Sequence, residues 1–339
     1  MAVRNASVPS LVDLLAQLDP MGGLASVAEV LERENPALQD IPWAEGNLVT
    51  GDRFTVRTVL PGVGFRRLNE GVPRSKSGAA QIDEATAILE ANSQVDRDLA
   101  KRAPNIAAYR LAEARPFHQS MNNKFMETLF YGNAFFEDKA FTGFSPRFNE
   151  IASPQVLDGG GTGTDNRSIW LIGWGDDVRG LYPKGTKGGL FHLDTTSNLR
   201  IGADGFPIGD TVLDPNGNPY LAYTDNWKWE CGLQIKDQRK VVRIANIDHS
   251  LLTNNRSTGA DLQDLIIQAS GSTPNLDSGN FVWYMPRTLS TMFSRQAFNE
   301  RRGFSSMEQI IPNGPRVLTM MGIPVRALDV LNVDEARVV

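Results

Sequence analysis

The chain has 339 residues, 41% of them hydrophobic and 22% charged, with a formal net charge of −5. Its length allows one large core or two modest ones, and its acidic balance excludes a surface that is basic throughout, as a nucleic-acid-gripping protein would need. A single cysteine, Cys231, excludes a disulfide framework and a cysteine-rich metal site; its dull reading is a small apolar filler inside a strand.

The first residues lack the long apolar core of a signal peptide, and no apolar run reaches the 18 residues a spanning helix needs. The product is expected to be made and kept in cytoplasm. Residues 1–46 hold two helix-like pieces. Leu11, Leu14, Leu15 and Leu18 fall at helical spacing after Ser10, a plausible N-cap, and Leu24–Glu34 makes a second piece ended by Asn35-Pro36. Helices this short are marginal alone, so the segment reads as an arm that needs a neighbour to bury its leucines.

Residues 47–92 change character. Phe54–Val59 alternates, Pro61-Gly62 reads as a turn, and Val72–Gly78 is a polar tip. Gln81–Glu90 is ambiguous: Ala85, Ile88 and Leu89 suit a helix, and its periodicity suits a strand poorly. An exposed two-stranded excursion is barely stable by itself. Arg66, Arg67, Arg74 and Lys76 concentrate here. They are either a solvated loop or a complement to acidic surface on a neighbouring copy, with Asp13, Glu29, Glu32 and Glu34 of the arm as candidates.

The longest helical region is 93–132. Ser93 is a candidate cap for Val95–Ala100, and Pro104 interrupts or restarts the helix. Ile106–Tyr131 then carries an apolar stripe that includes Phe117, Met121 and Phe125, with Pro116 predicting a kink and Gly132-Asn133 a stop. The loop Asp158–Asp165 is glycine-rich. Ser168–Gly185 and Trp229–Asp248 are short apolar strands edged by Gly, Asp and Lys. Between them, Ala203–Gly205 and Asp214–Asn218 are hairpin-tip signals, so 186–226 reads as a β insertion. The remainder alternates: helix at Ala260–Ala269, strand at Asn280–Pro286, helix at Thr288–Asn299, and a strand–turn–strand at Val317–Arg326.

No constellation for chemistry emerges. His118, His192 and His249 form no HExxH or His-x-His pattern and read as surface or satisfied core residues. Gly159–Gly163 lacks the Lys-Ser/Thr ending of a P-loop and the spacing of a dinucleotide fingerprint, leaving a flexible linker. Asp176-Asp177 lacks the further oxygen ligands of a calcium loop and reads as a hairpin turn. No G-x-S-x-G elbow exists. Trp170, Trp174, Trp227 and Trp229 pair on strand faces, where packing outweighs sugar stacking because their neighbours are apolar. No catalytic, cofactor-binding or metal residue is assigned. A chain that puts its most distinctive residues into sheet is read as built to assemble.

Ser168–Gly185 and Cys231–Asp248, with Gly322-Ile-Pro-Val-Arg326 and Trp283-Tyr-Met-Pro-Arg287 ahead of a helix, resemble the major capsid protein of tailed bacteriophages, nearest the short-tailed group. The resemblance spans nearly the whole chain. It implies an α+β fold of the Hong Kong phage capsid type: N-arm 1–46, E-loop 47–92 with Gln81–Glu90 as its second strand, and P-domain 93–185 with a spine helix at about 104–131. The β insertion 186–226, P-domain strands 227–256, and A-domain with C-terminal strand 257–339 follow. One departure is that Ile169–Trp174 and Leu181–Tyr182 precede the G-x-P-V strand, which predicts a rearranged strand order or a shifted P/A boundary. The implied function is self-assembly into hexamers and pentamers of an icosahedral shell around double-stranded DNA, assembled in the host cytoplasm and ending in the virion. Scaffolding, portal and cement proteins are implied as partners, DNA is held only weakly, and no membrane is involved. An arm that starts within the first residues implies a separate scaffolding protein, or none. Inter-subunit contacts fall to Arg66, Arg67, Arg74, Lys76, Leu14, Leu15 and Leu18, and the structural spine to Phe117, Met121 and Phe125. The rivals are an encapsulin-like compartment and a β-rich hydrolase or sugar-binding protein.

Overall fold

In the computed structural model, residues 9, 36–194, 196, 200–254, 259–276, 279–300, 305–309 and 316–339 are described. In chain order the strands are β1 (Trp43–Glu45), β2 (Gly51–Val59), β3 (Gly78–Asp96), β4 (Val156–Asp158), β5 (Asn166–Trp174), β6 (Val178–Tyr182), β7 (Leu190–Asp194), β8 (Asp210–Leu213), β9 (Pro219–Ile235), β10 (Val241–Asp248), β11 (Asn280–Met285), β12 (Ser305–Gln309), β13 (Arg316–Met320) and β14 (Ile323–Ala327). The helices are α1 (Arg97–Ala100), α2 (Ile106–Tyr131), α3 (His249–Asn254), α4 (Leu262–Gly271) and α5 (Arg287–Glu300). The chain divides into two compact units. The smaller contains Ile88–Met126 and Gly189–Glu230; the larger contains Glu34–Ala87, Glu127–Gly188 and Cys231–Val339.

The larger unit is organised by a sheet ordered β12-β13-β14-β11-β5-β10-β4. All nine residues of β5 are buried, which explains its near-continuous apolar run: a strand covered on both faces has no polar face to show. It pairs antiparallel with β10 and β11, and β11 pairs parallel with β14, the Gly-x-Pro-Val strand. Ile169, Leu171 and Trp283 point into a core closed by Leu262 and Ile266 of α4 and Leu289 and Phe293 of α5. On the opposite face Trp170 meets Phe130, Phe144 and Phe148. Asp261 caps α4 by accepting from the Gln263 and Asp264 amides.

Three features differ from what the sequence predicts. Asp176-Asp177 does not turn a hairpin: β5 and β6 lie in different sheets, β6 pairing antiparallel with the end of β9 and parallel with β1. The run of buried apolar residues on both sides hides the change of sheet. Gly159–Gly163 is not a free linker. The Gly159 and Gly161 amides donate to the Ala245 and Asn246 carbonyls at 2.7 Å each, lacing the loop to β10. A Cβ on Gly161 would stand 2.4 Å from Asn166 Oδ1 and 2.6 Å from the Asn246 carbonyl, so close approach explains the glycine. Third, the excursion does not reverse at Pro61-Gly62. The reversal is at Leu68-Asn69, where Asn69 takes φ 70°, a left-handed conformation that asparagine tolerates.

In the smaller unit β7 and β8 pair antiparallel with the first part of β9, and the Asp214–Asn218 turn joins β8 to β9, as its residues predict. Asp225, Trp227 and Trp229 alternate into the buried face of β9. Asp96, not Ser93, caps α1, accepting from the Asp98 and Leu99 amides, because β3 continues as far as Asp96. Asn105 accepts from the Ala108 amide at the start of α2. That helix continues through the exposed Pro116 to Tyr131, and Gly132 stops it, donating to the Thr128 carbonyl.

Candidate assembly interface

Gln81–Glu90, ambiguous by pattern, is strand. β2 and β3 form an antiparallel hairpin from Gly51↔Ala85 to Val59↔Gly78, and nine residues of β2 at about 3.3 Å each reach about 30 Å. Its base is held in the larger unit. Arg147 donates to both Glu84 carboxylate oxygens at 2.6 Å, a bidentate pair with the Glu84 side chain 7% exposed. Asp52, also buried, accepts from Gln234. Burial then fades along β2 until every residue from Arg57 to Val59 is exposed. A cross-strand rung, Arg53 to Asp83 at 2.6 Å, stiffens the exposed stretch; the hydrogen bond and the paired charge hold the Asp83 carboxyl below its ordinary range.

Beyond Val59 the tip buries nothing. Arg66, Arg67, Arg74 and Lys76 are all exposed, and the polar bonds of the first two stay within the tip: Arg66 Nη1 donates to the Glu70 carbonyl and the Arg67 amide to Glu70 Oε2. These charges stand out in the sequence; the apolar residues among them do not. Phe65, Val63, Leu68 and Leu60 are 111%, 94%, 91% and 77% exposed. Their signal was available: large apolar residues in a Gly/Pro/Arg loop with no period fit no core. Leu14, Leu15 and Leu18 lie outside the described residues.

On α2, Phe125 is buried and stacks on Trp229 at 4.4 Å, while Phe117, half-buried, stacks on Trp227 at 5.1 Å. Met121 is buried between them in sequence. Removing the Phe125 ring leaves a large void in a rigid core, so Phe125→Ala is expected to cost about 3–5 kcal/mol, read as a lower urea midpoint of the soluble subunit. At the base of the hairpin, Gly51 has φ 153° and a Cβ there would fall 1.9 Å from the Glu84 carbonyl oxygen. That neighbour is backbone and cannot swing away. Gly51→Ala is expected to destabilise by about 1–3 kcal/mol and to raise proteolysis within 51–85.

The smaller unit contains a cavity of about 300 Å³ lined by Arg110, His118, His192, Asp194, Asp225 and Trp227 among others. Arg110 pairs with Asp225 at 2.7 Å and Asp194 at 3.0 Å, and His192 Nε2 lies 2.8 Å from Asp225 Oδ1. These groups satisfy one another and leave no nucleophile–base pair. Burial pushes the Cys231 thiol up to about 12, so it is not a reactive thiolate. Among the described residues no three His, Cys, Asp or Glu side chains are grouped to hold a metal.

A body with a filled core, an anchored hairpin and an apolar, basic tip buried against nothing of its own defines a subunit that associates with others. The chain belongs to the family described as Major capsid protein GP7, whose model matches residues 19–339. It is a tailed-phage major capsid protein, a structural component of an icosahedral virion shell and not an enzyme. Its fold is similar to that of the capsid structure of bacteriophage Epsilon15: 31% identity, 100% of both chains covered, TM-score 0.75. A fainter likeness, TM-score 0.49 at 10% identity over 90% of this chain and 93% of the other, is to the bacteriophage JBD30 capsid. No curated protein matches. The resemblance read from the sequence is thereby borne out as a family.

Proposed function

We propose that copies of this chain associate into hexamers and pentamers that close around double-stranded DNA, with the residue 47–92 hairpin serving as the E-loop that reaches a neighbouring copy. The observation that carries this is the tip's exposure: Leu60, Val63, Phe65, Leu68 and Val72 stand with four cations on an anchored arm, none of them buried by the chain's own body. Ordering such a tip costs chain entropy, and burial against a neighbour offsets it. Arg66, Arg67, Arg74 and Lys76 supply charge contacts, Leu14, Leu15 and Leu18 anchor the N-arm, and Phe117, Met121 and Phe125 hold the spine α2 to β9.

The sheet bearing the Gly-x-Pro-Val strand supports redrawing the axial A-domain to include β5 and β10, since both hydrogen-bond within it. The P-domain then centres on α2 with β3 and β9. Scaffolding, portal and cement proteins act as separate partners, and a net charge of −5 suits a shell that holds DNA loosely while it is packed. Each subunit buries more than about 2,000 Å² against its neighbours, as permanent assemblies do. Sedimentation of the purified chain tests the reading. Capsomers or megadalton particles are expected; a concentration-independent monomer would contradict it.

A further inference from the structure

A second apolar projection lies in the loop after α2. Asn133 organises it: its carbonyl accepts from the Phe136 and Glu137 amides, and its side chain accepts from the Phe135 amide. The Glu137 carbonyl then accepts from the Ala140 amide. This bonding turns two adjacent rings outward, Phe135 at 87% and Phe136 at 83% exposure, packed edge to face at 5.3 Å. A few residues on, Phe141 and Phe144 are 3% and 0% exposed. The chain therefore had core available nearby and still presents this pair to solvent. The next three residues, Glu137, Asp138 and Lys139, are exposed, two of them acidic and one basic, so the loop is acidic on balance.

We propose that the Phe135–Phe136 loop is the seat for the residue 60–77 tip of a second copy of this chain, an assignment that rests on the shell reading. The two surfaces complement each other. The tip offers Phe65 and Leu68 beside Arg66 and Arg67; the loop offers two rings beside Glu137 and Asp138. Aromatic pairs and guanidinium–ring contacts favour such a meeting, and opposite charge steers it. The loop is already fixed by its own hydrogen bonds, so little order is lost there on docking. Because the two surfaces are different parts of one chain, the contact is head-to-tail, the kind that generates rings when its rotation closes. A self-matched contact would give only pairs.

Thiol cross-linking of assembled particles tests this, with Cys231 buried and silent. In particles carrying both Phe65→Cys and Phe135→Cys, a short bismaleimide should link chains into a ladder extending past dimers. Each single variant should remain uncross-linked. Cross-linking by Phe65→Cys alone would mean that tip meets tip, and particles in which the double variant does not cross-link would place the tip elsewhere; either result overturns the proposal. A second arm uses Phe135→Ser with Phe136→Ser. Both side chains are exposed, so the subunit should stay folded while particle yield collapses. Normal shells that only lose a separate virion protein would assign the loop to that protein and overturn the proposal. An unmodified chain that forms no particles contradicts the shell reading itself, an outcome distinct from particles without the cross-link.

Discussion

Glu335→Ala is expected to cost the subunit about 3–5 kcal/mol, as removal of one member of a buried ion pair does. Glu335 Oε2 accepts from Arg243 Nη2 at 2.7 Å, with side-chain exposures of 7% and 2%. The same carboxylate accepts from Ser168 Oγ and, through Oε1, from Tyr131 at 2.7 Å. Burial, and then the adjacent Glu335 charge, push the Tyr131 hydroxyl's pKa up, so it stays a donor. Arg243 also donates to Ser168 Oγ and to the Phe148 carbonyl, and lies 5.1 Å over the Trp170 ring. Deleting the carboxylate strands a guanidinium inside the sheet's aromatic face. Glu335→Gln, which keeps an acceptor, should cost less. The double change Arg243→Met with Glu335→Leu should recover much of the loss, since a buried pair replaced by packed apolar groups is often neutral. Urea midpoints of the three variants check the order; equal midpoints for Glu335→Ala and the unmodified chain would show that the network contributes nothing.

Arg66→Glu with Arg67→Glu is expected to leave the subunit soluble and folded while abolishing shells. Both side chains are exposed and, among the described residues, make no ion pair with the body, so folding should change little. At the interface the change reverses the tip's charge from basic to acidic, and like charges brought together cost several kcal/mol per contact. A shell repeats that contact at every subunit, so the penalty recurs with each addition. Electron microscopy should find no particles, and the circular dichroism spectrum of the variant should match that of the unmodified chain. Assembly of the unmodified chain should also slow as salt rises, because exposed charges are screened beyond about 8–10 Å at ordinary ionic strength. Normal particles from the variant would refute the role given to the tip.

Where burial dictated the residue, the sequence was readable. The β5 run Ile169–Trp174 and the β11 run Phe281–Met285 are apolar because both faces are covered, and α4 and α5 announced themselves by one-sided periodicity. Glycine and asparagine chemistry marked the end of α2 and the β8–β9 turn. Three kinds of feature escaped. Gln81–Glu90 reads ambiguously because its one buried residue is the charged Glu84 while Ile82 and Ile88 are exposed, so its hydrophobic pattern does not report its burial. The break between β5 and β6 was invisible because which sheet a buried strand joins depends on distant partners. Glu335 drew no notice because its importance comes from Arg243 and Ser168, 92 and 167 residues away. The proposed assembly surface was half legible: its charges stood out against an acidic chain, and Phe65 and Leu68 sit in an aperiodic loop that fits no core, while Phe135 and Phe136 looked like ordinary loop hydrophobics until their exposure was known.

An electron-microscopy reconstruction of assembled particles, at a resolution that traces residues 60–77, tests the central claim most directly. The account expects density for the tip, ordered and packed against the body of an adjacent copy, with Phe65 out of solvent. A tip folded back onto its own chain, or one that touches no neighbour in a closed shell, would contradict it.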